Sequence, residues 1–397
     1  MKKKLLGITL GTLTAAAMLF GCGKDKQTVT DPVEPPKEDE QTDVPPQTEM
    51  DDTQTDDTQI DDTTGNGKKI ALAMPAQSDK RWVDDAEAMK KGLEAKGYQV
   101  DVQFADDGPT QQAEQIKGFV EAQVDCIVAA PIDSGELSDA AEAAKNADIP
   151  VISYDRLLMD TDAVYYYVAF DRKGIGRMLG QEIEEKAELS KLEDGDYKTI
   201  EFFMGSSEDH DAYLTYEGMM EVLQPYLDDG RLVCKTGRTS FEDTSISEEL
   251  LETAKGWCKN YLAGYYTDEE LDICAAVSDS MAYGCKEALQ EAGYIADNWP
   301  VITGQGCELS ACRHILDEIQ TASVYLDTSI LADRCVTMID AVLEETEPEI
   351  NDTEQYHNNV ITVPSFLCTP TLVDADNLQE VLIDSGYYTK EQLDEAE

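Results

Sequence analysis

The chain has 397 residues, 82 acidic against 31 basic side chains, and a formal net charge of −51. A surface this acidic, with no basic stripe to counter it, repels phosphate backbones and argues against nucleic-acid binding. After the N-terminal segments about 330 residues remain, enough for two bodies, each with its own core.

Residues 1–21 carry Lys2, Lys3 and Lys4 ahead of an apolar run that ends in Leu19, Phe20 and Gly21. A basic start, an apolar middle shorter than the ~20 residues of a membrane span, and small residues before a cut predict an export signal. The Leu-x-Gly-Cys ending resembles the lipobox of bacterial lipoproteins. That resemblance implies lipid on Cys22, which becomes the mature N-terminus of an extracytoplasmic, membrane-tethered protein. Residues 22–67 are rich in Pro, Thr, Asp, Gln and Glu and include the near-repeat DDTQTDDTQIDDTT at 51–64. With almost no large apolar residues to offset the entropy of ordering, they predict a disordered acidic stalk.

From residue 68 short apolar runs alternate with amphipathic stretches. Strands are expected at 69–76, 98–107, 125–133, 149–156 and 165–171, separated by helical spacing over 83–96, 110–122 and 134–147. A second series follows, with strands at 198–206, 231–237, 271–279, 299–306 and 321–327 and helices at 211–228, 246–262, 280–292 and 308–319. That order predicts an α/β fold, two doubly wound parallel sheets with helices on both faces and a ligand cleft between two lobes. In the run VISYDR the strand ends in Asp155 and Arg156. Charges at the carboxyl end of a parallel strand face the crevice where ligands bind, whereas the plain alternative is a weak surface ion pair.

Catalytic and metal patterns are missing from the sequence: no G-x-S-x-G, P-loop, H-E-x-x-H or EF-hand loop occurs, and His210, His314 and His357 lie far apart. Nine cysteines besides Cys22 form no Cys-x-x-Cys pair, and Cys126 and Cys274 fall within apolar runs. No zinc site and no cofactor are therefore expected, while one disulfide of unknown pairing stays open for an exported chain.

Several ordered blocks then carry a family resemblance: KRW at 80–82, YDR at 154–156, YYYVAFDRKGIG at 165–176, FFMGSSEDHDA at 202–212, VLQPYLDDGRL at 222–232, AVSDSMAYG at 276–284, ITGQG at 302–306, SVYLDTSILA at 323–332 and PSFLCTPTLVDADNL at 364–378. In these the chain resembles the periplasmic sugar-binding proteins of bacterial ABC importers, above all the xylose-binding and multiple-monosaccharide-binding proteins. The resemblance implies the type I periplasmic-binding fold, whose lobes are joined by a three-segment hinge crossed near Phe170, Asp327 and Pro364. Residues 68–170 and 328–363 would form the N-terminal lobe, and residues 171–327 and 364–397 the C-terminal lobe. It also implies a protein that is not an enzyme and that hands a monosaccharide to an ABC permease. Residue by residue, Arg81, Asp155 and Arg156 would meet sugar hydroxyls, and Trp82 would stack on the ring unless it is a core aromatic. Asp209, His210, Asp211, Asp279, Gln305 and the aromatic Phe241 would serve from the second lobe, with Trp257 more at home in a core. A guanidinium fork donating to neighbouring hydroxyls, and carboxylates accepting from them, is what a polyol rim requires.

The chain departs from those relatives at Gly306, where they carry Asp, and at Leu326, where they often carry Lys. Losing an anion and a cation together conserves the charge balance of a desolvated cleft. It points to altered ligand choice and leaves the sugar itself, xylose included, open. Two other readings stay open: a sugar receptor for a chemoreceptor or histidine kinase, and, with less support, an exported glycoside-processing enzyme.

Overall fold

The computed structural model describes residues 67–106, 108–248, 250–295 and 299–396, so the expected signal, Cys22 and nearly all of the stalk lie outside the described residues. The first series folds as β1 (Lys69–Met74), α1 (Lys80–Ala95), β2 (Gln99–Phe104), α2 (Pro109–Glu121), β3 (Cys126–Ala129), α3 (Ser138–Asn146), β4 (Val151–Tyr154) and β5 (Val164–Phe170). The inner strands β3 and β4 are short and buried on both faces, hence apolar runs, whereas the edge strand β2 alternates. Side chains on the two faces of this sheet build separate clusters, one around Ile116, Phe119 and Tyr167 beneath α2 and α3, the other around Trp82, Met89 and Phe170 beneath α1.

After β5 the chain continues as α4 (Arg172–Lys186), β6 (Lys198–Phe203), α5 (His210–Asp229), β7 (Leu232–Val233), α6 (Phe241–Thr244), α7 (Leu250–Tyr265), β8 (Ile273–Ala276), α8 (Asp279–Ala292), β9 (Val301–Gln305), α9 (Leu309–Leu316) and β10 (Ala322–Tyr325). The helical pattern of α4 is interrupted by Gly174, Gly176 and Gly180, so periodicity alone does not mark it. Two glycines have a packing reason. A Cβ on Gly176 would sit 1.9 Å from the Thr215 carbonyl oxygen, and one on Gly218 would sit 2.0 Å from that of Lys173. Helices α4 and α5 therefore touch backbone to backbone, a contact that no larger residue permits.

The sheet orders are β11-β5-β4-β3-β1-β2 and β12-β10-β9-β8-β6-β7, parallel throughout except for the antiparallel strand β12. Here β11 is Ser365–Cys368 and β12 is Thr371–Val373, while α10 (Thr328–Leu343) returns to pack on α1 in the first lobe. The third passage between lobes thus corrects the expectation of Pro364. Strand β11 first completes the first sheet, pairing Ser365 with Tyr167 through to Cys368 with Phe170, and the chain changes lobe only over residues 369–370. A one-turn π-helix (Gln379–Asp384) and α11 (Lys390–Asp394) close the second lobe over Cys307, Cys312 and Tyr325.

Candidate functional site

In each sheet the strand order reverses beside the first strand of its series, between β1 and β3 and again between β6 and β8. Loops leaving the carboxyl ends of such strands diverge and leave a crevice. The two crevices open into one cavity of about 710 Å³. Its first-lobe wall is formed by Arg81, Ile132, Ser134, Tyr356 and the run Asp155 to Leu157, and its second-lobe wall includes Arg172, Ser206, residues 208–211, Ser247, Ser278 and Gln305.

Arg81 is held by the start of α1, where the N-cap carboxylate of Asp79 accepts the Arg81 backbone N–H at 3.0 Å. Asp155 leaves β4 in a left-handed conformation, φ 61°, and is 3% exposed. Arg81 Nη2 stands 2.8 Å from Asp155 Oδ1. The Arg81 and Arg156 guanidinium carbons lie 4.6 and 5.2 Å from the centre of the Trp82 ring, so the indole packs against both cations. Arg156 donates through Nη1 to the Pro131 carbonyl at 3.2 Å. It makes no ion pair within 4.0 Å among the described residues, which leaves guanidinium donors for a ligand.

Behind the wall runs a chain of alternating charge from one lobe to the other: Asp85 to Arg81 at 3.7 Å, Arg81 to Asp155 at 2.8 Å, Asp155 to Arg172 at 3.6 Å, and Arg172 to Asp211 at 3.1 Å. Burial alone would raise the Asp155 carboxyl, but Arg81, Arg172 and Arg156 pull it below the usual carboxylate value. Burial likewise works against the charge on Arg81 and on Arg172, yet the neighbouring carboxylates push both pKa values up. Asp85, whose cationic neighbour among the described residues is Arg81, has the opposite outcome: burial pushes its carboxyl up to about 6. Asp211 is also raised by burial against the pull of Arg172, although its side chain keeps 26% exposure at the cleft.

From the second lobe, Asp209 caps α5 by accepting the Asp211 N–H at 2.9 Å, and His210 reaches over to the first lobe, its Nε2 3.4 Å from the Gln355 carbonyl oxygen. Seven of the expected residues therefore meet at one cavity: Arg81, Asp155, Arg156, Asp209, His210, Asp211 and Gln305. Three do not line it. Trp82 is 4% exposed in the first-lobe core because the two guanidinium groups cover its ring. Phe241 is 6% exposed and packs against Tyr213 and Tyr216. Asp279 is 2% exposed and does not line the cavity, accepting from Glu308 N at 2.9 Å, Gln320 Nε2 at 2.9 Å and Ser323 Oγ at 2.8 Å. Those bonds fold the turn after β9, and a Cβ on Gly304 would collide with Asp279 Oδ1 at 2.1 Å. Leu326 packs against core clusters of both lobes.

Arg172 and Tyr356 also line the cavity and were not among the expected residues. Arg172 had a usable signal, since it follows β5 as Arg156 follows β4, a cation just beyond a parallel strand. Tyr356 had none: it lies in an irregular segment, and its position depends on an edge-on contact with Tyr167 at 4.9 Å.

Residues 70–347 match the family described as periplasmic binding protein domain. The chain is 36% identical over 326 residues to the multiple sugar-binding periplasmic receptor ChvE of Rhizobium radiobacter, covering 82% of this chain and 92% of that protein. It is 29% identical to the D-xylose-binding periplasmic protein of Escherichia coli, with the same coverage. Among solved structures, an ABC transporter solute-binding protein from Clostridium phytofermentans with bound β-D-glucose is similar at 39% identity and a TM-score of 0.71, covering 82% of this chain and all of that one. These relatives are binding and transport receptors rather than enzymes. With the two facing sheets and the cavity between them, the match establishes that the chain belongs to the periplasmic binding protein family.

Proposed function

We propose that the protein captures one neutral monosaccharide in the interlobe cavity and delivers it to an ABC sugar importer. The observation that carries this reading is the pairing of opposed walls: the donor fork of Arg156 beside Arg81 and Asp155 on one side, Asp209, His210, Asp211 and Gln305 on the other. Sugar hydroxyls each donate and accept, so a mixed wall of guanidinium, carboxylate and amide satisfies them, and the cleft provides both. The cavity of about 710 Å³ exceeds the volume of one sugar several-fold, as suits a clamp that closes on its ligand. A similar structure holds β-D-glucose and another, from Chloroflexus aurantiacus at 28% identity, holds D-glucose, which favours an aldohexose over xylose.

Isothermal titration with D-glucose, D-galactose and D-xylose tests the reading. One-site binding of at least one aldose, weakened by Arg156→Ala, is expected; no heat with any of a wide aldose and pentose panel would overturn it. The export signal and the Leu-x-Gly-Cys ending support lipid attachment at Cys22. Cys22→Ala should then release the chain from the membrane fraction, and unchanged membrane retention would refute the anchor.

A further inference from the structure

Away from the cleft, three cysteines distant in sequence meet in the core of the second lobe. Cys258 on α7, Cys274 in β8 and Cys285 on α8 are each 0% exposed, and their sulfur atoms all lie within 4.8 Å of one another. We propose that these three sulfurs form a binding site for a single thiophilic monovalent d¹⁰ cation, Cu(I) being the ion whose chemistry fits.

Sulfur ligands select soft ions, which sets aside magnesium and calcium. With metal–sulfur bonds of about 2.3 Å, a trigonal site places its sulfurs about 4.0 Å apart, within the span already present. Among the described residues no fourth His, Cys, Asp or Glu joins the group, and complete burial keeps water away. Structural zinc, which takes four ligands, therefore lacks one.

The surroundings are hydrocarbon, with Phe203, Ala254, Leu262, Ala288 and Leu289 in the same cluster, so hard oxygen and nitrogen ligands are kept from the ion. Binding changes no oxidation state: three copper–sulfur bonds form, and the sulfurs release their protons to solvent as they ligate. The bound ion would tie α7 and α8 to the sheet and stabilise this lobe by linkage.

The full chain, refolded from urea under argon with one equivalent of Cu(I) and desalted against bicinchoninate, provides the test. Atomic emission should find about one copper per chain, and X-ray absorption an all-sulfur three-coordinate shell. The variant C258A/C274A/C285A, checked for folding by circular dichroism, should retain at least about fivefold less copper. If that variant fails to fold, Cys258→Ser serves in its place. Equal copper in wild type and variant, a shell with nitrogen or oxygen ligands, or no copper retained by wild type would each overturn the site. So would a disulfide between two of these three cysteines, mapped by peptide mass without added reductant.

Discussion

Replacing Asp155 by Asn removes the central anion of the interlobe charge chain while keeping the side-chain shape. Asn also tolerates the left-handed backbone, φ 61°, that the position requires, so strain does not confuse the result. The Tyr167 hydroxyl donates to the Asp155 carbonyl oxygen at 2.8 Å, a contact that the substitution leaves alone. What is lost is the counter-charge to Arg81 at 2.8 Å and Arg172 at 3.6 Å. Removing one partner of a buried pair costs about 3–5 kcal/mol. Asp85 and Asp211 still lean on the two arginines, so the lower end, about 3 kcal/mol, is expected. At about 2 °C per kcal/mol the thermal midpoint should fall by roughly 6 °C at pH 7. Adding Arg81→Gln should recover part of the loss, because a double-mutant cycle isolates the pair. The Asp155 pKa is depressed in the folded state, so its contribution is present above ~3.9 and lost as pH falls through the lower folded value. A D155N midpoint within 1 °C of wild type, or strict additivity with R81Q, would refute the reasoning.

Arg156→Ala should weaken sugar binding by ~1.5–3 kcal/mol, roughly ten- to a hundredfold in Kd, with little change in sugar-free stability because Asp155 keeps Arg81 and Arg172, its stronger cationic partners; a large loss of stability would contradict that. Asp85 behaves oppositely to Asp155: its folded pKa of about 6 lies above the unfolded value, so its contribution is fully present below ~3.9 and is lost as pH rises through about 6. Asp85→Asn should therefore reduce the dependence of stability on pH between these limits and raise stability at pH 7 by about 3 kcal/mol, and an unchanged urea midpoint at pH 7 would contradict it. Gly218→Ala places a methyl group 2.0 Å from the Lys173 carbonyl oxygen, so α4 and α5 must separate, at a cost of about 3 kcal/mol; a variant as stable as wild type by urea denaturation would refute the close contact.

Strands were legible in the sequence because parallel strands buried on both faces are unbroken apolar runs, and the alternation of strand and helix specifies the doubly wound arrangement. Asp155 and Arg156 were legible for a related reason, since a charge just past a buried strand faces the crevice, whereas Arg81 was legible only through the family resemblance of KRW at 80–82. Trp82 and Phe241 were harder, since an aromatic near a binding loop and an aromatic in the core look alike until packing is known. Asp279 shows the limit for polar groups. Its three hydrogen bonds come from residues around positions 308, 320 and 323, contacts between distant segments that local sequence does not encode. The same holds for Cys258, Cys274 and Cys285, whose meeting depends on how α7 and α8 pack against β8. The lobe change at residues 369–370 comes later than the family resemblance implied, because β11 begins directly after Pro364 and first completes the first sheet.

The most direct measurement is a crystal structure of the chain grown with saturating D-glucose. The account predicts one pyranose between the lobes, with a hydroxyl oxygen within about 3.2 Å of the Arg156 guanidinium and others against residues 209–211. A cleft holding only water, with glucose absent or seated elsewhere on the surface, would contradict it.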